Sequence, residues 1–101
     1  PSEHYRFFVI VMGCYLELHL LESNSLKDKR RVLKSLKDRI QNAFNVAVAE
    51  VDPTDLWQSA SLGVVTVSSG VRHANGILTK VVNLVEKDVR VELVNCDMEV
   101  L

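Results

Sequence analysis

Cysteine is scarce in this chain: Cys14 and Cys96 are the only two among 101 residues. One pair cannot make a disulfide framework, and neither belongs to a C-x-x-C unit, so a zinc knuckle and a dithiol redox motif are excluded. Both lie in apolar, strand-like runs, where free cysteine behaves as a small buried hydrophobe. Unpaired structural thiols in a reducing cytoplasm are the expectation. Glycine is scarce as well, with four residues. Two of them fall in SSGVRHANG (68–76), which lacks the spacing of a Walker loop or a dinucleotide fingerprint. At most, the amides around Ser69 and Gly70 could meet a small anion at a helix start. Aromatics make up 6%, and no pair follows the pattern of an RNA-recognition motif. The longest apolar run, Phe7–Cys14, is too short to span a bilayer, and charge returns at Glu17. It also lacks the basic start and cleavage site of a secretory signal. No linker, low-complexity tract or internal repeat divides the chain, so residues 1–101 read as one domain. Residues 1–6 read as a flexible extension or a processing remnant.

Catalytic patterns are missing too. His4, His19 and His73 are scattered and form no metal motif. The serines lie at caps and turns, without a nucleophile phrase. No catalytic residue, metal ligand or cofactor is assigned. An enzyme would have to gather Glu17, His19, Glu50 and Asp55 in space, as a small hydrolase-like site on an open sheet face.

What the chain does have is a charge asymmetry. Net charge is -1, yet residues 1–45 carry eight Lys or Arg against five Asp or Glu, and residues 46–101 carry four against eight. The excess of cations sits in SLKDKRRVLKSLKDRIQNAFN (25–45), with seven Lys or Arg and two Asp. Leu33, Leu36 and Ile40 recur there at helical spacing and predict a buried stripe. Ser25 is a good N-cap, with Asp28 placed to complete a capping box, and Asn45 suits a left-handed exit. Such a helix turns a basic face outward. Lys27, Arg30, Arg31, Lys34 and Lys37 are the candidate phosphate contacts, which position RNA without reading its sequence. Trp57 lies in a loop with Asp55 and Gln58. It would stack on a base or anchor a partner, or else plug the end of the core.

The remaining elements follow from periodicity. Phe7–Leu20 reads as a strand whose second half alternates Leu16, Leu18 and Leu20 with Tyr15, Glu17 and His19. Val46–Val51 reads as a short strand, ended by a turn at Asp52-Pro53. Thr54–Ser61 reads as a loop or short helical turn, and Leu62–Val67 as a β-branched strand. Val71–Val85 presents Ala74, Ile77, Leu78, Val81 and Val85 as a second helix, capped by Ser68 or Ser69. Val89–Val100 contains the last strand. The order β-α-β-β-α-β predicts an α+β, ferredoxin-like sandwich: a four-stranded antiparallel sheet with two helices on one face. A doubly wound domain would need a helix between the second and third strands, where Asp52–Ser61 is too short.

YLELHL (15–20), SLKDKRRVLKSLKDRI (25–40), FNVAVAE (44–50) and DLWQSASLGVVTV (55–67), in this order and spacing, resemble the YlxP-like bacterial family of unknown function. The resemblance covers nearly the whole chain from Val11; the FFVI stretch at 7–10 departs from the shorter start it implies. It implies a ferredoxin-like domain. Genes of that family often lie beside translation and ribosome-maturation factors, which implies association with RNA or a ribosomal subunit. It carries over no catalytic residues. The reading is therefore a cytoplasmic, non-enzymatic RNA- or ribosome-associated protein that docks through its basic helix. The alternative is a homo-oligomeric protein-interaction module using the open sheet face, with neither catalytic nor nucleic-acid-binding activity.

Overall fold

Alternation with period two sets the central strand. In β1 (Ile10–Leu20) the side chains of Met12, Cys14, Leu16, Leu18 and Leu20 are buried, while Tyr15, Glu17 and His19 face the other way. The computed structural model describes residues 9–101. The readings of residues 1–6 and of Phe7–Phe8 as the strand's start lie outside the described residues. After β1 come α1 (Leu26–Ala43), β2 (Ala47–Val51), β3 (Ser59–Ser68), α2 (Val71–Glu86) and β4 (Val91–Val100). The strands form one sheet in the order β2-β3-β1-β4, with every neighbouring pair antiparallel. This is the ferredoxin-like arrangement predicted from the element order.

Between the sheet and the helices lies a single core. Leu33, Leu36 and Ile40 of α1 and Ala74, Leu78, Val81 and Val85 of α2 pack with the inward residues of β1, with Ala60, Leu62 and Val64 of β3, and with Val91. Both helices are amphipathic in the sense the spacing predicts. Their caps differ from expectation in detail. Ser25 Oγ accepts from the Asp28 amide at 3.0 Å, and the Asp28 carboxylate takes the amide of Asn24, one residue before the cap, at 3.1 Å. α2 has Gly70 as its N-cap with no side-chain cap bond. Ser68 helps from two residues upstream, its Oγ accepting from the Gly70 amide at 3.2 Å and meeting His73 Nδ1 at 2.9 Å.

Two further expectations are corrected. Among the described residues the left-handed ones are Glu22 and Asp52, not Asn45; α1 ends on Phe44 in extended conformation. β3 begins at Ser59, so the loop after Asp52 is shorter than Thr54–Ser61. Its early serines alternate with buried Ala60 and Leu62, a pattern masked by weak β-propensity. In β4 the register shifts opposite Glu17/Leu18, because Glu17 pairs with Asn95 and Leu18 with Leu93. Val94 is the extra residue of this bulge and is exposed, while Leu93, Cys96 and Met98 pack against the core.

Candidate nucleic-acid interface

α1 turns its basic residues away from the sheet. Lys27, Arg30, Arg31 and Lys34 are exposed, and Lys37 is half-buried. Positions 27, 30, 34 and 37 recur at three and four residues, so they form one stripe along the helix, with Arg31 beside it. The stripe runs along the outer side of the helix, with Lys37 bordering the buried line of Leu33 and Ile40. Lys34 donates to Asp38 at 2.8 Å, which raises its pKa, and Arg31 stands 3.8 Å from Asp28. Lys27, Arg30 and Lys37 form no salt bridge with another described residue. Exposed pairs at i,i+3 and i,i+4 hold their charges loosely.

Two of the seven cations in this segment do other work. Lys29 is buried, with its residue 3% exposed. Its ammonium donates to the carbonyls of Thr54 (2.8 Å) and Leu56 (2.9 Å) and lies 3.9 Å from Glu50 Oε2. A buried ammonium is tolerated because these oxygens replace its water. The signal for this was in the spacing: Lys29 precedes Leu33 by four residues and Leu36 by seven, on the buried stripe. Arg39 donates to Asp88 at 2.7 Å. Arg90 binds the same carboxylate through Nε and Nη2 at 2.9 and 2.7 Å, and its amide adds a fourth bond. Asp88 is buried, and its pKa falls to about 2, mainly through the side-chain bonds from Arg90. Arg90 is raised in return. Local periodicity gives no signal for this cluster, because Asp88 falls between the second helix and the last strand.

Trp57 is 53% exposed, so it does not plug the core. It shares a hollow with His19, Asn24, Leu56, Gln58 and Ser59. Three ties fix this loop to its surroundings: Lys29 to the Thr54 and Leu56 carbonyls, Gln58 Nε2 to the Ser23 carbonyl at 3.1 Å, and the Leu20 amide to the Gln58 carbonyl at 2.9 Å. Ser23 and Asn24 lead directly into α1. Trp57 therefore stands at the end of the molecule where the basic helix begins. It flanks the cationic stripe rather than lying on it.

Of the four residues named for a hydrolase-like site, Glu17, His19 and Glu50 do not share one face of the sheet. Glu17 and His19 face the open side of the sheet, whereas Glu50, opposite Leu62, faces the helices. His19 Nδ1 lies 3.5 Å from Glu92 Oε1, on the adjacent strand. Among the described residues no three His, Cys, Asp or Glu are grouped as a metal site would require. Leu16 pairs with Cys96 and Cys14 with Met98, so the two cysteines are diagonal neighbours on the core side. Both are free. Burial, with Cys96 nearby, pushes the Cys14 thiol up to about 12. Burial, with Asp97 and Glu86 near, raises Cys96 too. Neither is poised as a nucleophile at neutral pH. No described helix is long and apolar enough to cross a membrane.

These features define a small ferredoxin-like α+β domain with one basic helix face. A family model described as "Protein of unknown function (DUF503)" matches residues 11–98, and the chain belongs to that family. It is also similar to a Bacillus subtilis (strain 168) protein described as "Uncharacterized protein YlxP". The two are 36% identical over 76 residues, which cover 75% of this chain and 83% of that protein.

Proposed function

We propose that this protein binds RNA, free or within a ribosomal particle, on the outer face of α1, with Trp57 as a stacking contact at its N-terminal end. The observation that carries the reading is the stripe of Lys27, Arg30, Lys34 and Lys37 along the outer side of α1. Three of these four cations lack an ion-pair partner among the described residues. The loop that carries the exposed indole is tied to the start of α1 by the buried Lys29, which donates to the Thr54 and Leu56 carbonyls, an expenditure of stability that a mere surface loop does not require. Cations tracking a backbone next to an aromatic platform suit single-stranded or looped RNA, whose bases are free to stack. The role is docking rather than catalysis, and the ribosomal context implied by the family resemblance is in keeping with it.

The test is binding of a fluorescent single-stranded RNA, and of small ribosomal subunits, across salt concentrations. Wild type is compared with Lys27→Glu/Arg30→Glu/Lys37→Glu and with Trp57→Ala. Affinity should fall with salt, and the triple variant should flatten the logarithmic slope by about 2, at roughly 0.7 per lost phosphate contact. Trp57→Ala should weaken binding by about 1–3 kcal/mol at every salt concentration. Binding that ignores salt, or survives the triple variant in a folded protein, refutes the proposal.

A further inference from the structure

The face of the sheet turned away from the helices is divided lengthwise. Across β2 and β3 it presents Ala47, Ala49, Val51, Gly63, Val65 and Val67, placed on one side by the pairs Ala47↔Val65, Ala49↔Gly63 and Val51↔Ser61. Across β1 and β4 the pairs are Gly13↔Glu99, Tyr15↔Asp97, Glu17↔Asn95 and His19↔Glu92. One half is therefore small and apolar, and the other carries Glu17, Glu92, Asp97 and Glu99. Among the described residues no lysine or arginine stands at a strand position of this face.

Between the halves lies a hollow of about 530 Å³, lined by Gly13, Tyr15, Gly63, Val65, Asp97 and Glu99 among others. At its two glycines neighbouring side chains lie close over the backbone. A Cβ on Gly13 would come within 3.2 Å of Leu101 Cδ1, and one on Gly63 within 3.2 Å of Val51 Cγ1. Tyr15 is fixed across this region, with its hydroxyl 2.8 Å from Ser61 Oγ and 3.2 Å from Asp52 Oδ2. The hollow is thus walled by a pinned aromatic side chain and bordered by carboxylates.

We infer that this face docks an amphipathic, lysine- or arginine-bearing helix of another protein, its apolar side over β2 and β3 and its cations over β1 and β4. The occupant follows from charge and pattern together. Face to face with a second copy, Glu17, Glu92, Asp97 and Glu99 would meet either their own equivalents or the apolar half of the partner, and neither compensates their charge. A second copy offering α1 would match the carboxylates but not the apolar half, because Leu33, Leu36 and Ile40 are buried in its own core. RNA is repelled outright. A helix with an apolar stripe next to a basic one satisfies both halves at once. This surface shares no residue with the RNA-docking stripe, so either proposal can fail alone.

The probe is a synthetic 15-residue helical peptide with leucines at i, i+3, i+4 and i+7 and lysines along one flank. Its control is a scrambled peptide of identical composition. Binding is followed by amide chemical shifts of the labelled protein at two salt concentrations. The expected result is shifts confined to the outward residues of the four strands, with binding about tenfold weaker for the scrambled peptide. Binding should also weaken about tenfold in Glu17→Gln/Asp97→Asn/Glu99→Gln. Ala49→Arg, at an exposed position on the apolar half, should weaken it independently while leaving the thermal transition in place. Equal binding of both peptides, shifts on the helices, or indifference to both variants overturns the proposal. So does concentration-dependent self-association that these substitutions abolish, since the occupant would then be a second copy.

Discussion

The two helices bury similar apolar stripes against the same sheet, yet they are built differently at their ends and on their outer faces. α1 is capped by Ser25 and Asp28, is joined to neighbouring elements through Lys29 and Arg39, and carries its cations outward. α2 starts on a glycine without a side-chain cap, has no acid in its first turn, and contains Gly76 and several valines. Local propensity and capping favour α1, whereas α2 depends on packing. The helix proposed to meet a ligand is the one whose ends and orientation are fixed by side chains. A docking surface gains from being ordered before its partner arrives, because less entropy is lost on binding.

The strongest challenge to this contrast is to cut the core beneath each helix. Leu36 of α1 and Leu78 of α2 are both fully buried. Leu36→Ala and Leu78→Ala should each cost about 2–5 kcal/mol in chemical denaturation. If the contrast holds, Leu78→Ala should also reduce helical circular dichroism in the native baseline, whereas Leu36→Ala should leave it intact. Equal loss of helix signal in both variants would show that α1's caps contribute nothing beyond packing.

Asp88 tests how α1 is tied to the start of β4. Asp88→Asn should cost about 2–3 kcal/mol at neutral pH, since two arginines lose a charged acceptor. The folded-state pKa of about 2 lies below the ordinary value of 3.8. The unfolded chain therefore binds the proton first. The carboxylate's contribution is complete above pH about 4 and is lost as pH falls through 2. The gap in melting temperature between wild type and Asp88→Asn should thus be constant from pH 5 to 7 and close between pH 4 and 2. A gap that persists at pH 2 would place the effect in packing rather than in charge.

Lys29→Met breaks the tie between α1 and the β2–β3 loop while keeping the buried stem. The global cost should be about 1–2 kcal/mol, because the freed carbonyls of Thr54 and Leu56 lie in a surface loop and can be hydrated. The sharper readout is local. Fluorescence anisotropy of Trp57, the single tryptophan, should fall, and RNA affinity should move toward that of Trp57→Ala. Unchanged anisotropy would show that the other loop bonds suffice.

Lys29 also marks where the sequence stopped being readable. The element order, the buried stripe of α1 and the alternation of β1 were all legible, because each rests on local periodicity. So was the direction of the basic stripe, since it follows from where Leu33, Leu36 and Ile40 must point. Lys29 falls on the buried side of that same pattern, but its partners are carbonyls 25 and 27 residues away, and a carbonyl has no signature in sequence. Asp88 was hidden for the same reason: one of its two arginines is 49 residues upstream. The bulge at Val94 turned on a register that only pairing with β1 defines. The exposure of Trp57 depended on how the loop was held, and so on Lys29 itself.

The smallest effects give the most direct comparison of the helices, because they touch no tertiary contact. Ser25→Ala removes the acceptor of the Asp28 amide and should cost about 1 kcal/mol. Gly76→Ala should act with the opposite sign. A Cβ there meets nothing within 4 Å, the residue is exposed, and its φ is not in the left-handed region. Alanine adopts the helical conformation without strain and reduces the freedom of the unfolded chain, so stability should rise by about 0.5–1 kcal/mol. The two sites are on different helices and share no partner, so their effects should add in the double variant. A double variant close to wild type, with the native helix signal unchanged, would mean that α1 has local order to spare and α2 has a deficit that one methyl group fills. A Gly76→Ala variant no more stable than wild type would mean instead that α2 is already fully ordered by Leu78, Val81 and Val85, and that the difference between the helices lies at their ends alone.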